Sequence, residues 1–127
     1  MPIRGIRGAT VAEADTAEAI RAATREMLQA LTAANDLALD DVASVVFSTT
    51  PDLTAEVPAR AARDLGWEET ALMCVAEMNA RGGLPRCIRV LVHWNTERQP
   101  HEIHHVYLHA ASQLRPDRAA LGSGRAG

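Results

Sequence analysis

Two arginine residues stand where a strand would ordinarily carry apolar or small side chains. Arg7 lies in the alternating stretch "IRGIRGAT", and Arg89 lies in the middle of "RCIRVLVHW", which reads as a buried strand. A guanidinium group stays charged in proteins and binds carboxylate or phosphate through two parallel hydrogen bonds. Either arginine alone is explained by a side chain that reaches an edge or pairs with an acid. Together with Arg60 and Arg63, which share one side of a short predicted helix, they indicate a pocket for a small dicarboxylate or phosphorylated anion.

Other side chains could line such a pocket, although each also has an ordinary structural explanation. Glu77 follows a predicted strand in "CVAEMNARGG", where a lone loop glutamate is usually solvated. Tyr107 is the only tyrosine, and a half-buried sheet tyrosine with a satisfied hydroxyl accounts for it. Cys74 could be a nucleophile, but the sequence assigns no base to it, and a buried structural thiol is the alternative. The residues alone do not name a reaction.

The segment "HEIHHVYLH" raises the question of a metal site, because His101, His105 and His109 are spaced four residues apart. We predict a strand after His104, which spoils the helical geometry, and no cysteine or carboxylate is placed to complete a ligand set. All 13 basic residues are arginine, so lysine-based Schiff-base chemistry, including pyridoxal catalysis, is excluded. The chain also has no P-loop, dinucleotide-binding or nucleophile-elbow motif. We therefore expect neither a metal nor a cofactor.

The composition of the chain limits the remaining classes of protein. The length of 127 residues suits one domain, and a net charge of −3 with a pI near 5.9 argues against binding to nucleic acid. No apolar run approaches the ~20 residues of a membrane span, and "MPIRGIRG" has no apolar signal core. We expect a cytoplasmic protein with two free thiols. We also expect a single domain over residues 1–117 and a flexible glycine-rich tail over 118–127.

Hydrophobic periodicity predicts the elements that must position these side chains. Strands are predicted over residues 3–10, 42–50, 70–75, 86–94 and 104–114. A helix is predicted to begin at the capping-box-like pair Asp15 and Glu18 and to end near Ala34. A short helix over 58–65 is predicted to begin at Pro58 and to stop at Gly66. The pattern indicates an α+β domain with one mixed sheet and helices on one face.

Six stretches in a single register, taken together, resemble the AroH class of chorismate mutases. They are "IRGIRGAT", "STTPDL", "PARAARDLGW", "CVAEM", "GGLPRCIRVLVHWNT" and "HVYLHAASQLRPD", and they run from about residue 3 to residue 117. The resemblance implies a homotrimer that forms a pseudo α/β barrel, with active sites at the subunit interfaces. It also implies the Claisen rearrangement of chorismate to prephenate on the route to phenylalanine and tyrosine.

The resemblance implies roles for individual residues as well. Arg7 would bind the carboxylate of the enolpyruvyl side chain, with Tyr107 beside it. Arg89 would lie near the ether oxygen of the breaking bond, and Glu77 would bind the ring hydroxyl. The implied substrate-binding residues around this set are Val57, Ala59, Arg60, Arg63, Met73, Cys74, Leu114 and Arg115. Val57 and Met73 stand where a phenylalanine and a threonine are familiar in the family. The tail is short and glycine-rich, so whether it partly covers the site, as in the family, is left open.

The physical demands of this reaction fit a site built from fixed charges. The rearrangement is intramolecular and pericyclic, so it requires no nucleophile, metal or proton transfer. The enzyme must hold a flexible dianion in its compact reactive shape and stabilise the charge that builds on the ether oxygen. Two alternatives remain open, namely a non-catalytic trimeric module that binds a small ligand and a small trimeric deaminase of similar fold, because related folds host several activities.

Overall fold

A computed structural model describes residues 1–114 of the chain, so the predicted tail over 118–127 and Arg115 lie outside the described residues. The elements are β1 (Ile3–Val11), α1 (Ala17–Asn35), β2 (Val42–Thr49), α2 (Ala59–Asp64), β3 (Ala71–Ala76), β4 (Cys87–Asn95) and β5 (Val106–Tyr107). Short 3₁₀ helices occupy Leu39–Asp41, Pro100–Glu102 and His109–Leu114. Within these residues no helix has both the length and the apolar character that crossing a bilayer requires.

The strands form one mixed sheet in the order β3-β2-β4-β1-β5. β4 runs antiparallel to both β1 and β2, whereas β3 is parallel to β2 and β5 is parallel to β1. α1 and α2 pack on the same face of the sheet, and a large apolar core fills the space between these helices and the sheet. The predicted α+β architecture with helices on one face is therefore confirmed.

The two central strands alternate between a core face and an open face. In β4, Ile88, Val90 and Val92 are buried against the helices, whereas Arg89 and Leu91 are exposed on the other side. The prediction of a buried strand holds for one face only, because the helices cover one face of the sheet. The arginine thus interrupts an apolar sequence without entering the core of the chain.

The first helix begins differently from the sequence prediction. Thr16 is its N-cap, and the Thr16 hydroxyl accepts a hydrogen bond from the backbone N–H of Ala19 at 3.0 Å. Asp15, the predicted cap, instead accepts hydrogen bonds from the Thr54 hydroxyl and from the backbone N–H groups of Thr54 and Ala55. These bonds, the Thr54 hydroxyl above all, lower the pKa of Asp15. Asp15 therefore fixes the loop that leads into α2.

The predicted fifth strand is wrong beyond Tyr107. Only Val106–Tyr107 pairs with β1, and His109 then adopts a left-handed backbone conformation with φ of 54°. A left-handed residue ends an extended strand, and the two alanines that follow favour a helical backbone. The chain therefore continues to Leu114 as a 3₁₀ helix, which brings this residue back towards the open face of the sheet.

Gly8 is a position where packing of β1 against the neighbouring strand β4 leaves no room for a side chain. A Cβ atom there would lie 2.9 Å from Cγ1 of Val90, which is itself buried. Gly8→Ala should lower the free energy of unfolding by about 1–3 kcal/mol, because the packed valine must move. In a Val90→Ala background the same change should cost clearly less. Denaturant unfolding of the four proteins measures both costs, and equal costs would contradict the close approach.

Candidate active site

A cavity of about 480 Å³ opens on the face of the sheet that the helices leave bare. Its lining includes Arg7 from β1, Arg89 from β4, Tyr107 from β5, Glu77 just after β3, and Leu114 from the last 3₁₀ helix. The four residues predicted to be catalytic are thus brought together in one chain. Two guanidinium groups and one carboxylate make the cavity suitable for a small anion that also carries a hydroxyl group.

The backbone at Arg7 is fixed by the segment that precedes β5. The Arg7 N–H donates to Nδ1 of the buried His105 at 2.9 Å. The side chain of Asn35, the last residue of α1, accepts a hydrogen bond from the N–H of His104 and donates one to its carbonyl oxygen. His105 therefore holds the backbone of β1 in place.

Within residues 1–114, no three His, Cys, Asp or Glu side chains converge in a way that could hold a metal ion.

Glu77 lies beyond the end of β3, but it lacks the freedom of an ordinary loop residue. Its N–H donates to the carbonyl oxygen of Thr49 at 2.9 Å, which continues the ladder between β2 and β3. Its Oε1 accepts a hydrogen bond from the Ser48 hydroxyl at 2.6 Å and lies 3.4 Å from Nε of Arg89. Ser48 was not among the residues predicted from the sequence. The alternation of β2 indicates which side chains share a face with Ser48, but only the register with β4 places Ser48 beside Arg89.

A second cavity of about 470 Å³ shares Glu77 and Arg89 with the first. Cys87 lines it, and burial raises the pKa of the Cys87 thiol although the nearby Arg89 guanidinium acts in the opposite direction. Asp52 accepts hydrogen bonds from the Thr50 hydroxyl and the Arg86 N–H, and the hydroxyl contributes most to the lowered pKa of Asp52. These contacts join the end of β2 to the start of β4 next to the charged pair.

The remaining predicted binding residues lie apart from the cavity. These residues do not line the cavity, and they belong to α2, to the loop before α2 and to the edge strand β3. We call the six residues the edge group: Val57, Ala59, Arg60, Arg63, Met73 and Cys74. Met73 and Val57 are exposed to 60% and 46%, which is unusual for apolar side chains of this size. Arg60 pairs with Glu56 at 3.1 Å and remains exposed. One chain therefore assembles only part of the predicted set.

Comparisons with known proteins agree closely with one another. A family model described as chorismate mutase type I matches residues 3–118. The chain is 47% identical over 116 residues to chorismate mutase AroH of Thermus thermophilus, covering 91% of this chain and 95% of that protein. It is 44% identical over 118 residues to chorismate mutase AroH of Bacillus subtilis, covering 92% and 93%. A solved chorismate mutase from Clostridium thermocellum superposes with a TM-score of 0.85 at 44% identity, covering 87% of this chain and 98% of that one.

The two cysteines should differ strongly in reactivity. Cys74 is exposed, whereas Cys87 is buried and has a raised pKa, so its thiolate is both rarer and less accessible. Cys74 should therefore be alkylated by iodoacetamide well before Cys87. A mass-spectrometric time course measures both rates, and Cys74→Ser and Cys87→Ser assign the modified positions. Alkylation of Cys87 at the rate of Cys74 would show that β4 is not packed as described.

Proposed function

The chain belongs to the type I chorismate mutase family, and we propose that its active site joins the cavity of one subunit to the edge group of another in a homotrimer. The enzyme is an isomerase that converts chorismate to prephenate in the biosynthesis of aromatic amino acids. A small deaminase or a non-catalytic binding module is not retained, because the relatives and the family model all name chorismate mutases. The proposal therefore concerns how these residues catalyse the rearrangement.

In the proposed site, Arg7 binds the carboxylate of the enolpyruvyl side chain, and Tyr107 lies beside it. Arg7 is exposed on the open face, and within residues 1–114 no acidic side chain pairs with it. Its charge is thus available to an anion. Tyr107 is buried against Ala9 and Ala111, so the ring is held in place by packing. Because the carboxylate is charged before and during the reaction, Arg7 contributes about equally to substrate binding and to transition-state binding.

Arg89 and Glu77 act on the part of the substrate that changes. We assign Arg89 to the ether oxygen, which is nearly neutral in chorismate and gains negative charge as the C–O bond breaks. A fixed cation there stabilises the transition state more than the ground state, and such an interaction raises kcat. Glu77 is assigned to the ring hydroxyl. The observation that carries both assignments is their 3.4 Å ion pair in the lining of the cavity.

The trimer supplies the second wall of the site. The open face carries apolar side chains that water reaches in a single chain, among them Met73, Val75 and Leu91. Exposed apolar groups on one sheet face favour burial against another copy of the chain. The edge group of the neighbouring subunit then faces the cavity, with Arg60 and Arg63 at its mouth. Leu114 forms the C-terminal edge of the cavity, and the family resemblance implies a binding role for Arg115 as well.

We also propose how the chain is divided into domain and tail and in which compartment the protein acts. A single catalytic domain over residues 1–117 is followed by a tail, and the protein acts in the cytoplasm without metal, cofactor or nucleic acid. The free thiols Cys74 and Cys87 support a reducing compartment. The net charge of −3 supports the absence of a nucleic-acid partner.

Replacing Arg89 with citrulline keeps the shape of the side chain and removes its charge. Loss of one pre-oriented donor typically lowers kcat by ~10²–10³, and loss of a full charge should reach at least that range. We expect KM to change little, because the ether oxygen is nearly neutral in the bound substrate. Arg7→Ala should instead weaken binding of substrate and transition state together. The loss of chorismate absorbance measures both variants, and a citrulline variant with raised KM and unchanged kcat would make Arg89 a substrate anchor.

Mixed trimers test whether each site draws on two subunits. Arg89→Ala disables the cavity, and Arg63→Glu reverses a charge of the edge group, so each variant alone should be nearly inactive. When the two are refolded together in equal amounts, about a quarter of the sites combine an intact cavity with an intact edge group, and that share of activity should return.

A matched mixture gives the control for this recovery. Arg7→Ala mixed with Arg89→Ala places both changes in the cavity, so every site keeps one of them and no activity should return. Recovery in neither mixture would contradict a site shared between subunits, and recovery in both would contradict the assignment of Arg7 and Arg89 to the same subunit of a site. Light scattering of the unmodified protein should give the mass of a trimer, and a fully active monomer would reject the assembly.

A further inference from the structure

Ser48 lies in β2, which runs between β4, the strand of Arg89, and β3, the strand that Glu77 follows. The sheet register places it opposite Arg89 on β4 and opposite Val75 on β3. It is half-buried and lines the same cavity as both. Paired positions on neighbouring strands share a face of the sheet, so the Ser48 hydroxyl projects beside the Arg89 side chain.

The two oxygens of the Glu77 carboxylate have different surroundings. Oε1 accepts the Ser48 hydroxyl at 2.6 Å and also faces Nε of Arg89 at 3.4 Å. Within residues 1–114, Oε2 takes part in no hydrogen bond. The shorter contact is with the serine, so it is the hydroxyl that sets the rotation of the carboxylate and leaves one oxygen directed elsewhere.

We propose that Ser48 is a positioning residue that keeps Glu77 from closing onto Arg89 and leaves Oε2 for the substrate. This inference rests on the function proposed above for Glu77 and Arg89. A carboxylate and a guanidinium left to themselves form a two-pronged pair with N···O distances of roughly 2.7–2.9 Å. The observed distance of 3.4 Å between Nε of Arg89 and Oε1 of Glu77 is longer, and no hydrogen bond joins these two side chains. A closed pair would weaken the field of Arg89 at the ether oxygen.

Removal of the hydroxyl should therefore affect turnover more than substrate affinity. Ser48→Ala should lower kcat roughly tenfold, the size expected for losing a hydrogen bond to a charged group, with little change in KM. Ser48→Thr retains the hydroxyl and should keep most of the activity. Initial rates of chorismate loss over a range of substrate concentrations separate kcat from KM.

Ser44 provides a matched control on the same strand and the same face. Its hydroxyl pairs with Nδ1 of His93 at 2.9 Å, and it does not line the cavity. Ser44→Ala removes a comparable side-chain hydrogen bond from β2, and we expect kcat to stay at the wild-type value. Thermal unfolding of both alanine variants shows whether they lose similar stability, so that a difference in kcat reports on position and not on folding.

A double-mutant cycle tests whether Ser48 acts through Glu77. In a Glu77→Ala background, Ser48→Ala should change neither kcat/KM nor Tm further, because the partner of the hydroxyl is gone. The measurement of Tm does not depend on turnover, so it gives an answer even if Glu77→Ala is almost inactive.

Three outcomes would overturn the inference about Ser48 while leaving the proposed function intact. They are unchanged kcat in Ser48→Ala, a rise in KM without a fall in kcat, and an equal loss of Tm from Ser48→Ala in both backgrounds. Wild-type turnover in Glu77→Ala would instead reject the role proposed for Glu77, and the inference about Ser48 would fall with it.

Discussion

Two like charges on one open face of a β-sheet are the constraint on which the site depends. The register of β1 and β4 pairs Arg7 with Leu91 and Ala9 with Arg89, so the two arginines are diagonal neighbours. Diagonal positions in an antiparallel pair are separated by roughly 7–8 Å, close enough for the two charges to repel each other. Glu77 pairs with only one of them. The face therefore retains one unbalanced positive charge, which is available to an anionic ligand.

The backbone holds the members of the site with different degrees of rigidity. Arg89 lies in a central strand with hydrogen-bond ladders on both sides. Arg7 is held by the ladder to β4 on one side and by the hydrogen bond from its N–H to Nδ1 of His105 on the other. Glu77 follows an edge strand and has no such support, yet an electrostatic catalyst needs all its charges fixed before the reaction begins. Its tethers to the Thr49 carbonyl and the Ser48 hydroxyl supply what the ladder does not. A loop residue thereby gains a position nearly as definite as that of a strand residue.

Local sequence patterns predicted the features that depend on neighbouring residues within one strand or helix. Hydrophobic patterning predicted that Arg7 and Arg89 lie within strands, whereas their shared face depends on the register between β1 and β4, which neither stretch of sequence contains. The capping role of Thr16 was missed because Asp15 is engaged by a loop some forty residues away. The end of β5 was missed because "VYLHAASQL" carries no glycine or proline to mark the left-handed turn at His109. The grouping of Glu77 with Tyr107 came only from the family resemblance.

The open face also explains why the assembly matters for the chemistry. In a single chain the Arg89 side chain is 46% exposed, so water screens the charge that the transition state requires. The Coulomb energy of a charge pair rises about fourfold when the effective dielectric constant falls from that of water to the value of ~20 typical of protein sites. In the proposed trimer the edge group of a neighbour covers the cavity and displaces that water. The neighbouring subunit thus strengthens the electrostatic interaction between Arg89 and the substrate, although it does not supply the charge. Ser48 holds Glu77 away from Arg89, so that the guanidinium charge acts on the substrate.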